Sequence, residues 1–174
     1  MNLPANLIFK ICGKSDLCNL KTDYTHVVSF TQPGEADVNL TRFFHAKIYR
    51  QKIHDAWSLY HKNQGMSIPD EKFTEGLIRD LLDIVEDVRD GKESIVLFHC
   101  HAGISRSTAA AFIFLSIILG ESQLDRALGH VISVRSIAEP NIAFIILAER
   151  LLKFEDKMRR ALKNRGRRWK TDLF

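Results

Sequence analysis

The feature that most constrains the fold is a short loop that joins two apolar segments near the middle of the chain. Residues 94–99 have the length and composition of a fully buried strand, and residues 107–119 are apolar on nearly every side, as in a core helix. Between these segments lies only the loop Cys100-His101-Ala102-Gly103-Ile104-Ser105-Arg106. A buried strand must therefore turn into a buried helix within this loop.

The rest of the chain alternates between strand-like and helix-like patterns. Residues 7–12 and 25–30 predict two more buried strands, residues 42–48 are a candidate third strand, and residues 49–65 are predicted to be irregular. Helices are predicted for residues 69–91, for residues 122–134 after a Ser122-x-x-Asp125 capping box, and from about Pro140 onward. This order predicts one α/β domain over residues 1–174, with a mainly parallel central sheet flanked by helices.

The charge of the chain is concentrated near its end. Seven of the 25 Lys and Arg residues lie in residues 159–170, which contain no acid, so 18 basic residues remain against 21 acidic ones. We expect residues 159–174 to be a solvated basic tail, with attraction to an anionic membrane or nucleic acid as the alternative, and we expect no nucleic-acid partner. The longest apolar run is too short to span a bilayer, and no signal-peptide pattern is present. A cytoplasmic protein without stable membrane insertion is therefore expected.

The composition of the loop is typical of a phosphate-binding nest. Where a loop closes onto a helix N-terminus, the unpaired N–H groups of residues 101–106 point into one concave space that suits a phosphate dianion. Ala102 and Gly103 are small where the backbone must wrap closely, and Gly103 tolerates positive φ. We expect His101, Ala102, Gly103, Ile104, Ser105 and Arg106 to bind the substrate phosphate.

Cys100 and Arg106 supply the reactive groups of this loop. A cysteine nucleophile must be a thiolate, and a helix N-terminus together with a guanidinium stabilises that anion without a separate base. Arg106 can also form two parallel hydrogen bonds with phosphate oxygens, which a lysine cannot do. The hydroxyl of Ser107 is available to donate to the sulfur when it leaves phosphorus. The pattern therefore predicts nucleophilic chemistry rather than an inert core thiol.

These residues resemble those of a known family. The pattern His99-Cys100-x5-Arg106-Ser107 is similar to the signature loop of the cysteine-based protein tyrosine phosphatases, and most similar to the dual-specificity branch. The similarity extends over most of the chain, through a segment ending in Asp55 and a later Pro140-Asn141 pair, and the chain resembles small bacterial members. The resemblance implies a tyrosine-phosphatase-like fold and two-step hydrolysis of a phosphoprotein, with phosphotyrosine expected, through a phosphocysteine. It also implies that no metal or other cofactor is used and that His99 orders the loop.

The family also uses an aspartic acid that protonates the leaving oxygen and then activates water. Asp70 lies 30 residues before Cys100, the commoner spacing, but in the first turn of a predicted helix, where a carboxylate usually only complements the dipole. Asp55 lies 45 residues before Cys100 in a segment predicted to be irregular, which matches how the family presents its acid. We expect Asp55 to be the acid, with Asp70 as the alternative.

The other cysteines and the histidines of the loop have plainer explanations. Cys12 and Cys18 have the same spacing of six residues as Cys100 and Arg106, but no arginine follows them, so we expect buried packing rather than a redox role. His99 flanks the nucleophile, but adjacent residues at a strand end point in opposite directions, and no second cluster has the ligand spacing of a zinc site. No metal site is expected.

Two other functions share this loop chemistry. A phosphoinositide or RNA 5′-phosphatase is one, although lipid-directed relatives tend to carry lysines inside the loop, where this chain has His101 and Ile104. A phosphate-binding module without turnover is the other, and it would keep the loop but lack the catalytic acid.

Overall fold

One sheet of four parallel strands forms the centre of the computed structural model, which describes residues 3–165. The strands are β1 (Leu7–Gly13), β2 (His26–Thr31), β3 (Lys47–Lys52) and β4 (Ser94–Cys100), in the spatial order β1-β4-β2-β3. The two central strands are buried over almost their whole length, as is typical of a parallel sheet covered on both faces. The predicted α/β fold is confirmed.

Helices cover one face of the sheet, and short turns cover the other. The α-helices of the described residues are α1 (Leu59–Asn63), α2 (Glu71–Arg89), α3 (Arg106–Leu119), α4 (Leu124–Val134), α5 (Ile142–Leu151) and α6 (Lys157–Asn164). The larger core lies between the sheet and α2–α6, and residues 109–115 of α3 are fully buried at its centre. A smaller core on the opposite face contains Leu17, Tyr24 and Phe43. None of the helices in residues 3–165 is long and apolar enough to cross a bilayer.

The third strand begins later than the sequence pattern suggests. Residues 41–43 form a 3₁₀ helix that buries Phe43 in the smaller core, and β3 starts only at Lys47. Because β3 is an edge strand with mostly exposed side chains, it lacks the apolar run by which the central strands are recognised. The predicted bounds of the third strand, residues 42–48, are therefore wrong. The segment 49–65, predicted to be irregular, begins inside β3 and contains α1.

The capping box predicted at Ser122 and Asp125 is not formed. Ser122 lies inside a 3₁₀ turn, Glu121–Gln123, and α4 begins at Leu124 with no hydrogen bond from a capping side chain. Asp125 lies in the first turn of α4, where its negative charge still complements the helix dipole.

The long C-terminal helix predicted from about Pro140 is divided into α5 and α6. Lys153, Glu155 and Asp156 adopt positive φ and turn the chain between the two helices. The first part of the predicted basic tail is thus a helix that packs on the core through Met158, Ala161 and Leu162. The remainder of that tail, residues 166–174, lies outside the described residues.

The carboxyl ends of the strands bring the loop to one edge of the sheet. Gly13 at the end of β1 pairs with Cys100, and Ser29 of β2 pairs with His99. Ligands of open parallel sheets bind in the crevice at this edge. The fold therefore places residues 100–106 where a binding site is expected.

Candidate active site

Cys100 is the last residue of β4, and its sulfur lies inside the loop that follows. The side chain is buried, the backbone N–H of Gly103 donates to the sulfur at 3.2 Å, and the Ser107 hydroxyl lies 3.1 Å from it. Hydrogen bonds to sulfur favour the thiolate over the thiol because they stabilise negative charge. The structure thus surrounds Cys100 with groups suited to an anionic nucleophile.

The carbonyl groups of residues 101–105 all accept hydrogen bonds from groups outside the loop. The oxygen of His101 accepts from Lys14 N at 2.9 Å, that of Ile104 from Glu139 N at 2.8 Å, and that of Ser105 from Asn141 N at 3.2 Å. The Arg135 side chain donates to the two carbonyls between them, those of residues 102 and 103. Since the C=O and N–H of a peptide unit point in opposite directions, these bonds favour an inward direction for the N–H groups of residues 102–106, and that of Gly103 donates to the Cys100 sulfur.

Gly103 is required by the tightness of the loop. Its φ is +69°, and a Cβ at this position would lie 2.5 Å from the carbonyl carbon of Cys12. Any other residue would therefore be strained by its backbone conformation and would also clash with β1. The loop and the end of β1 are packed backbone against backbone.

Arg106 lies beneath the loop and is 2 % exposed. Its Nη1 donates to the carbonyl of Ile53 at 2.9 Å, and its Nε lies 3.9 Å from the Asp55 carboxylate. The Nε makes no hydrogen bond within the described part of the chain. A buried guanidinium with a spare donor is suited to bind an oxyanion.

Asp55 contacts the loop, whereas Asp70 does not take part in it. The Asp55 carboxylate accepts from the Ser105 hydroxyl at 2.6 Å and from the Asn141 side-chain amide at 2.9 Å, and about a third of its side chain remains exposed. Asp70 is the N-cap of α2 and accepts from Phe73 N at 2.7 Å. Asp70 therefore has a structural role as an N-cap, and Asp55 is the one of these two carboxylates that contacts the loop.

A contact between His54 and Ser67 brings together the two ends of residues 54–67, the segment that contains Asp55. The Nδ1 of His54 accepts from the backbone N–H of Ser67 at 3.0 Å and lies 2.7 Å from the Ser67 hydroxyl. Inside the closed segment the ring of Trp57 lies 4.4 Å from that of His61. These contacts give residues 54–67 their own packing, which supports the position of Asp55.

His99 is fully buried, and burial lowers its pKa to about 4, with further lowering by the positive charges of Arg50 and Arg106. The ring is therefore neutral at physiological pH. Its register partners are Cys12 and Ser29, which places the side chain on the face of the sheet opposite to Cys100. Neither ring nitrogen has a hydrogen-bond partner among residues 3–165. If His99 orders the loop, as the family resemblance implies, it does so through packing of its ring and not through a hydrogen bond.

The other two thiols differ in their surroundings. Cys12 is buried, and burial together with the negative charge of Asp16 raises its pKa to about 12, so it is a neutral packing residue. Cys18 is exposed and donates to the carbonyl of Ser15 at 3.4 Å. The prediction of buried packing holds for Cys12 and is wrong for Cys18. Among the described residues no group of three or more His, Cys, Asp or Glu side chains is arranged to hold a metal ion.

Two residues of the site carry no local sequence signal for their contacts. Arg135 stands at the C-terminal end of α4, outside any motif, and reaches the loop from there. Asn141 belongs to the family resemblance, and the structure adds that it caps α5 while its amide donates to Asp55. Only the folded chain shows that both residues meet the loop.

Known proteins resemble this chain both in sequence and in structure. No model of a protein family matches the sequence. The protein-tyrosine-phosphatase MKP1 of Arabidopsis thaliana is 38 % identical over 76 residues, which are 44 % of this chain and 9 % of that protein. The match therefore spans less than a tenth of the length of this relative.

Several solved structures resemble most of the chain. Tk-PTP in its active form has a TM-score of 0.57 at 22 % identity and is matched over 83 % of this chain and 90 % of its own. Human DUSP28 has a TM-score of 0.56 at 20 % identity, over 87 % of this chain and 94 % of its own. The chain has the fold of the dual-specificity phosphatases.

Within this phosphatase fold, the residues of the loop decide what the chain can do. The fold is also similar to a human tyrosine phosphatase-like serine/threonine/tyrosine-interacting protein, with a TM-score of 0.55 at 21 % identity over 82 % of this chain and 85 % of that one. The name of that neighbour calls it phosphatase-like. The predicted resemblance to the dual-specificity branch is confirmed, and turnover has to be argued from the groups around Cys100.

Proposed function

We propose that the chain is a cysteine-dependent phosphoric monoester hydrolase that removes phosphate from phosphoprotein, with phosphotyrosine as the preferred residue. The observation that carries the proposal is the position of one sulfur, that of Cys100, between a backbone N–H and a hydroxyl inside a loop of inward N–H groups. Arg106 and Asp55 lie beside the same loop. Nucleophile, anion-binding groups and acid are thus assembled at one edge of the sheet.

In the first step the Cys100 thiolate attacks phosphorus while the N–H groups of residues 101–106 and the Arg106 guanidinium bind the phosphoryl oxygens. The sulfur–phosphorus bond forms as the bond to the tyrosine oxygen breaks. Asp55 gives its proton to that oxygen, so tyrosine leaves as a neutral phenol. The contact of Asp55 with Ser105 supports this role, because it holds the carboxyl group next to the phosphate-binding loop.

In the second step water attacks phosphorus, and the Asp55 carboxylate accepts a proton from it. The sulfur–phosphorus bond breaks, inorganic phosphate is released, and the Cys100 thiolate is restored. The Ser107 hydroxyl, 3.1 Å from the sulfur, donates a hydrogen bond that stabilises the leaving thiolate. The cycle is complete without a metal or an organic cofactor.

The composition of the loop supports a protein substrate over a lipid one. His101 and Ile104 occupy loop positions where lipid-directed relatives tend to carry lysine, which would add positive charge for a polyanionic headgroup. Asp55 supports turnover over mere capture, because a phosphate-binding module has no need of an acid at the loop. A phosphotyrosine peptide, an inositol phospholipid and an RNA with a 5′-phosphate, assayed side by side, rank the three substrate classes directly.

The test of the proposal is the release of p-nitrophenol from p-nitrophenyl phosphate. The Cys100→Ser variant is expected to lose on the order of 10³-fold or more in turnover, because a hydroxyl is a poor nucleophile without a base. Cys18→Ser is the matched control, since Cys18 is exposed and lies on a turn after β1, and it is expected to keep full activity. Comparable turnover by Cys100→Ser and the unmodified chain contradicts the proposal. Tight capture of phosphopeptide without release of phosphate by the unmodified chain supports the silent module instead.

A further inference from the structure

The side chain of Arg135 binds the phosphate-binding loop on both sides of the Gly103 Cα. Its Nη2 donates to the carbonyl of Ala102 at 2.9 Å and its Nε donates to the carbonyl of Gly103 at 3.1 Å. These are the two carbonyls on either side of the Gly103 Cα. One planar guanidinium therefore binds both peptide units that meet at the glycine.

One of these peptide units also touches the nucleophile. The carbonyl of Ala102 and the N–H of Gly103 belong to the same peptide plane, and that N–H donates to the Cys100 sulfur at 3.2 Å. The sulfur and the guanidinium thus lie at opposite ends of a single dipole. A positive charge at the carbonyl end fixes the direction of that dipole and polarises its N–H toward the sulfur.

A clamp is needed here because the loop requires glycine. Gly103 has a φ of +69°, and a Cβ would lie 2.5 Å from the backbone of Cys12, so no other residue fits. Glycine accepts many backbone conformations, and rotation of its flanking peptide units by half a turn turns carbonyls into the nest. An inward carbonyl repels a phosphate dianion. The bonds from Arg135 hold both units in the orientation that binds it.

The guanidinium of Arg135 also lies near the carboxylate of Asp16, in the turn after β1. The Asp16 carboxylate lies 3.7 Å from Nη1 of Arg135 and accepts from the backbone N–H of Gly13 at 3.0 Å. The carbonyl of His101 is bound in the same region by the backbone of Lys14. The end of α4, the loop and the turn after β1 therefore form one connected set of contacts.

We propose that Arg135 is a positioning residue that keeps the Ala102–Gly103 and Gly103–Ile104 peptide units in their anion-binding orientation, with Asp16 holding the guanidinium in place. The proposal deepens the proposed function and rests on it. Arg135 binds the outer side of the loop through carbonyl oxygens and acts on the phosphate only through the peptide units that it orients.

The experiment measures anion binding and thiol reactivity without turnover. Arg135→Ala, Arg135→Lys and Asp16→Asn are compared with the exposed control Arg89→Ala, which removes the same charge from the last turn of α2. All variants carry Cys18→Ser, so that the remaining thiol besides Cys100 is the buried Cys12. The Kd of tungstate, an oxyanion of phosphate-like shape, is measured by calorimetry, and the rate of Cys100 alkylation by iodoacetamide is measured at pH 6 and at pH 9.

Arg135→Ala is expected to raise the Kd of tungstate by about tenfold and to slow alkylation at pH 6 by a similar factor, because alkylation follows the thiolate fraction. At pH 9, above the pKa of about 8.5 of a free cysteine, the two rates are expected to agree within about twofold. Arg135→Lys is expected to restore part of both effects because an ammonium binds one carbonyl well and not two. Asp16→Asn is expected to act in the same direction more weakly, and combining it with Arg135→Ala is expected to add nothing.

The proposal is overturned if Arg135→Ala matches the control Arg89→Ala in both the Kd of tungstate and the alkylation rates, whatever its melting temperature. A general loss of stability lowers the melting temperature without changing the ratio of rates at the two pH values. Failure of the proposed function has a different signature. In that case the protein that carries only Cys18→Ser already shows slow alkylation at pH 6 and does not bind tungstate.

Discussion

Asp55 lies against Arg106, with 3.9 Å between the carboxylate Oδ2 and the guanidinium Nε. The same guanidinium donates to the carbonyl of Ile53, two residues before the acid. Arg106 is therefore attached to the segment that carries Asp55. Because Arg106 begins α3 and Asp55 follows β3, this pair connects the two halves of the site across the sheet.

The position of Asp55 predicts that replacing this residue lowers turnover more for substrates with poor leaving groups than for substrates with good ones. The Asp55→Asn variant keeps an oxygen that accepts from Ser105 but has no proton of the right acidity to donate. We expect turnover of phosphotyrosine peptide to fall by about 10²-fold or more, and turnover of an aryl phosphate with a strongly electron-withdrawing ring to fall by less than about tenfold. The measurement is kcat for a series of aryl phosphates of graded leaving-group acidity.

Asp70→Asn is the matched control for this series. Asparagine is as good an N-cap as aspartate, so α2 is expected to remain intact and the slope of rate against leaving-group acidity to remain that of the unmodified chain. A steeper slope for Asp70→Asn than for Asp55→Asn assigns the acid to Asp70. Equal losses on all substrates for Asp55→Asn mean that Asp55 only supports the loop.

The loop glycine predicts a separate effect on anion binding. In Gly103→Ala the new Cβ meets the backbone of Cys12, which cannot give way as a flexible side chain can. We expect the loop to shift, the hydrogen bond from N–H 103 to the Cys100 sulfur to be lost, and the Kd of tungstate to rise more than about tenfold. Calorimetry on the purified variant measures this directly.

Gly120→Ala separates the clash from the cost of positive φ. Gly120 has a φ of +81° at the end of α3, and a Cβ added there would meet no atom of the described residues beyond its chain neighbours within 4 Å. Both alanines carry a backbone strain of about 1–3 kcal/mol, and only the one in the loop also clashes. The Gly120→Ala variant is therefore expected to lose stability and keep its affinity for tungstate. A matching loss of affinity in both variants contradicts the argument from close packing.

The central part of the fold could be predicted because its determinants are contiguous in sequence. β4, the loop and α3 follow one another, so Cys100, Gly103 and Arg106 are recognisable together. The position of β3 could not be predicted because an edge strand needs no apolar run. The break between α5 and α6 has no sequence signal because Asp156 and its neighbours take positive φ without being glycine. Local sequence patterns do not predict such features because tertiary packing determines them.

The positions of Asp55 and Arg135 at the loop are harder to predict than that of Cys100 because both residues reach the loop from distant parts of the chain. Spacing alone leaves Asp55 and Asp70 as alternatives, and the contacts with Ser105 and Asn141 that favour Asp55 exist only in the folded chain. Arg135 lies in no motif, and a half-buried arginine at a helix end is ordinary in sequence. Its two bonds to the loop exist only once α4 is folded against the sheet.

The buried ring of His99 predicts a loss of stability in mild acid. Its pKa is about 4 in the folded chain and about 6.5 in an unfolded one, so the unfolded chain binds a proton first as the pH falls. Stability is therefore complete above pH 6.5 and is lost below it, by up to about 3 kcal/mol at pH 4 from this residue. The pKa of buried His26 is also lowered by burial, which adds a loss of the same sign. Urea unfolding at pH 7.5, 6.0 and 5.0 measures how steeply the free energy of unfolding changes with pH.

The His99→Asn variant is expected to reduce this slope by up to about 1.4 kcal/mol per pH unit, whereas the exposed His45→Asn is expected to leave the slope unchanged. The same slope in His99→Asn as in the unmodified chain means that His99 is protonated, or hydrated, in the folded state.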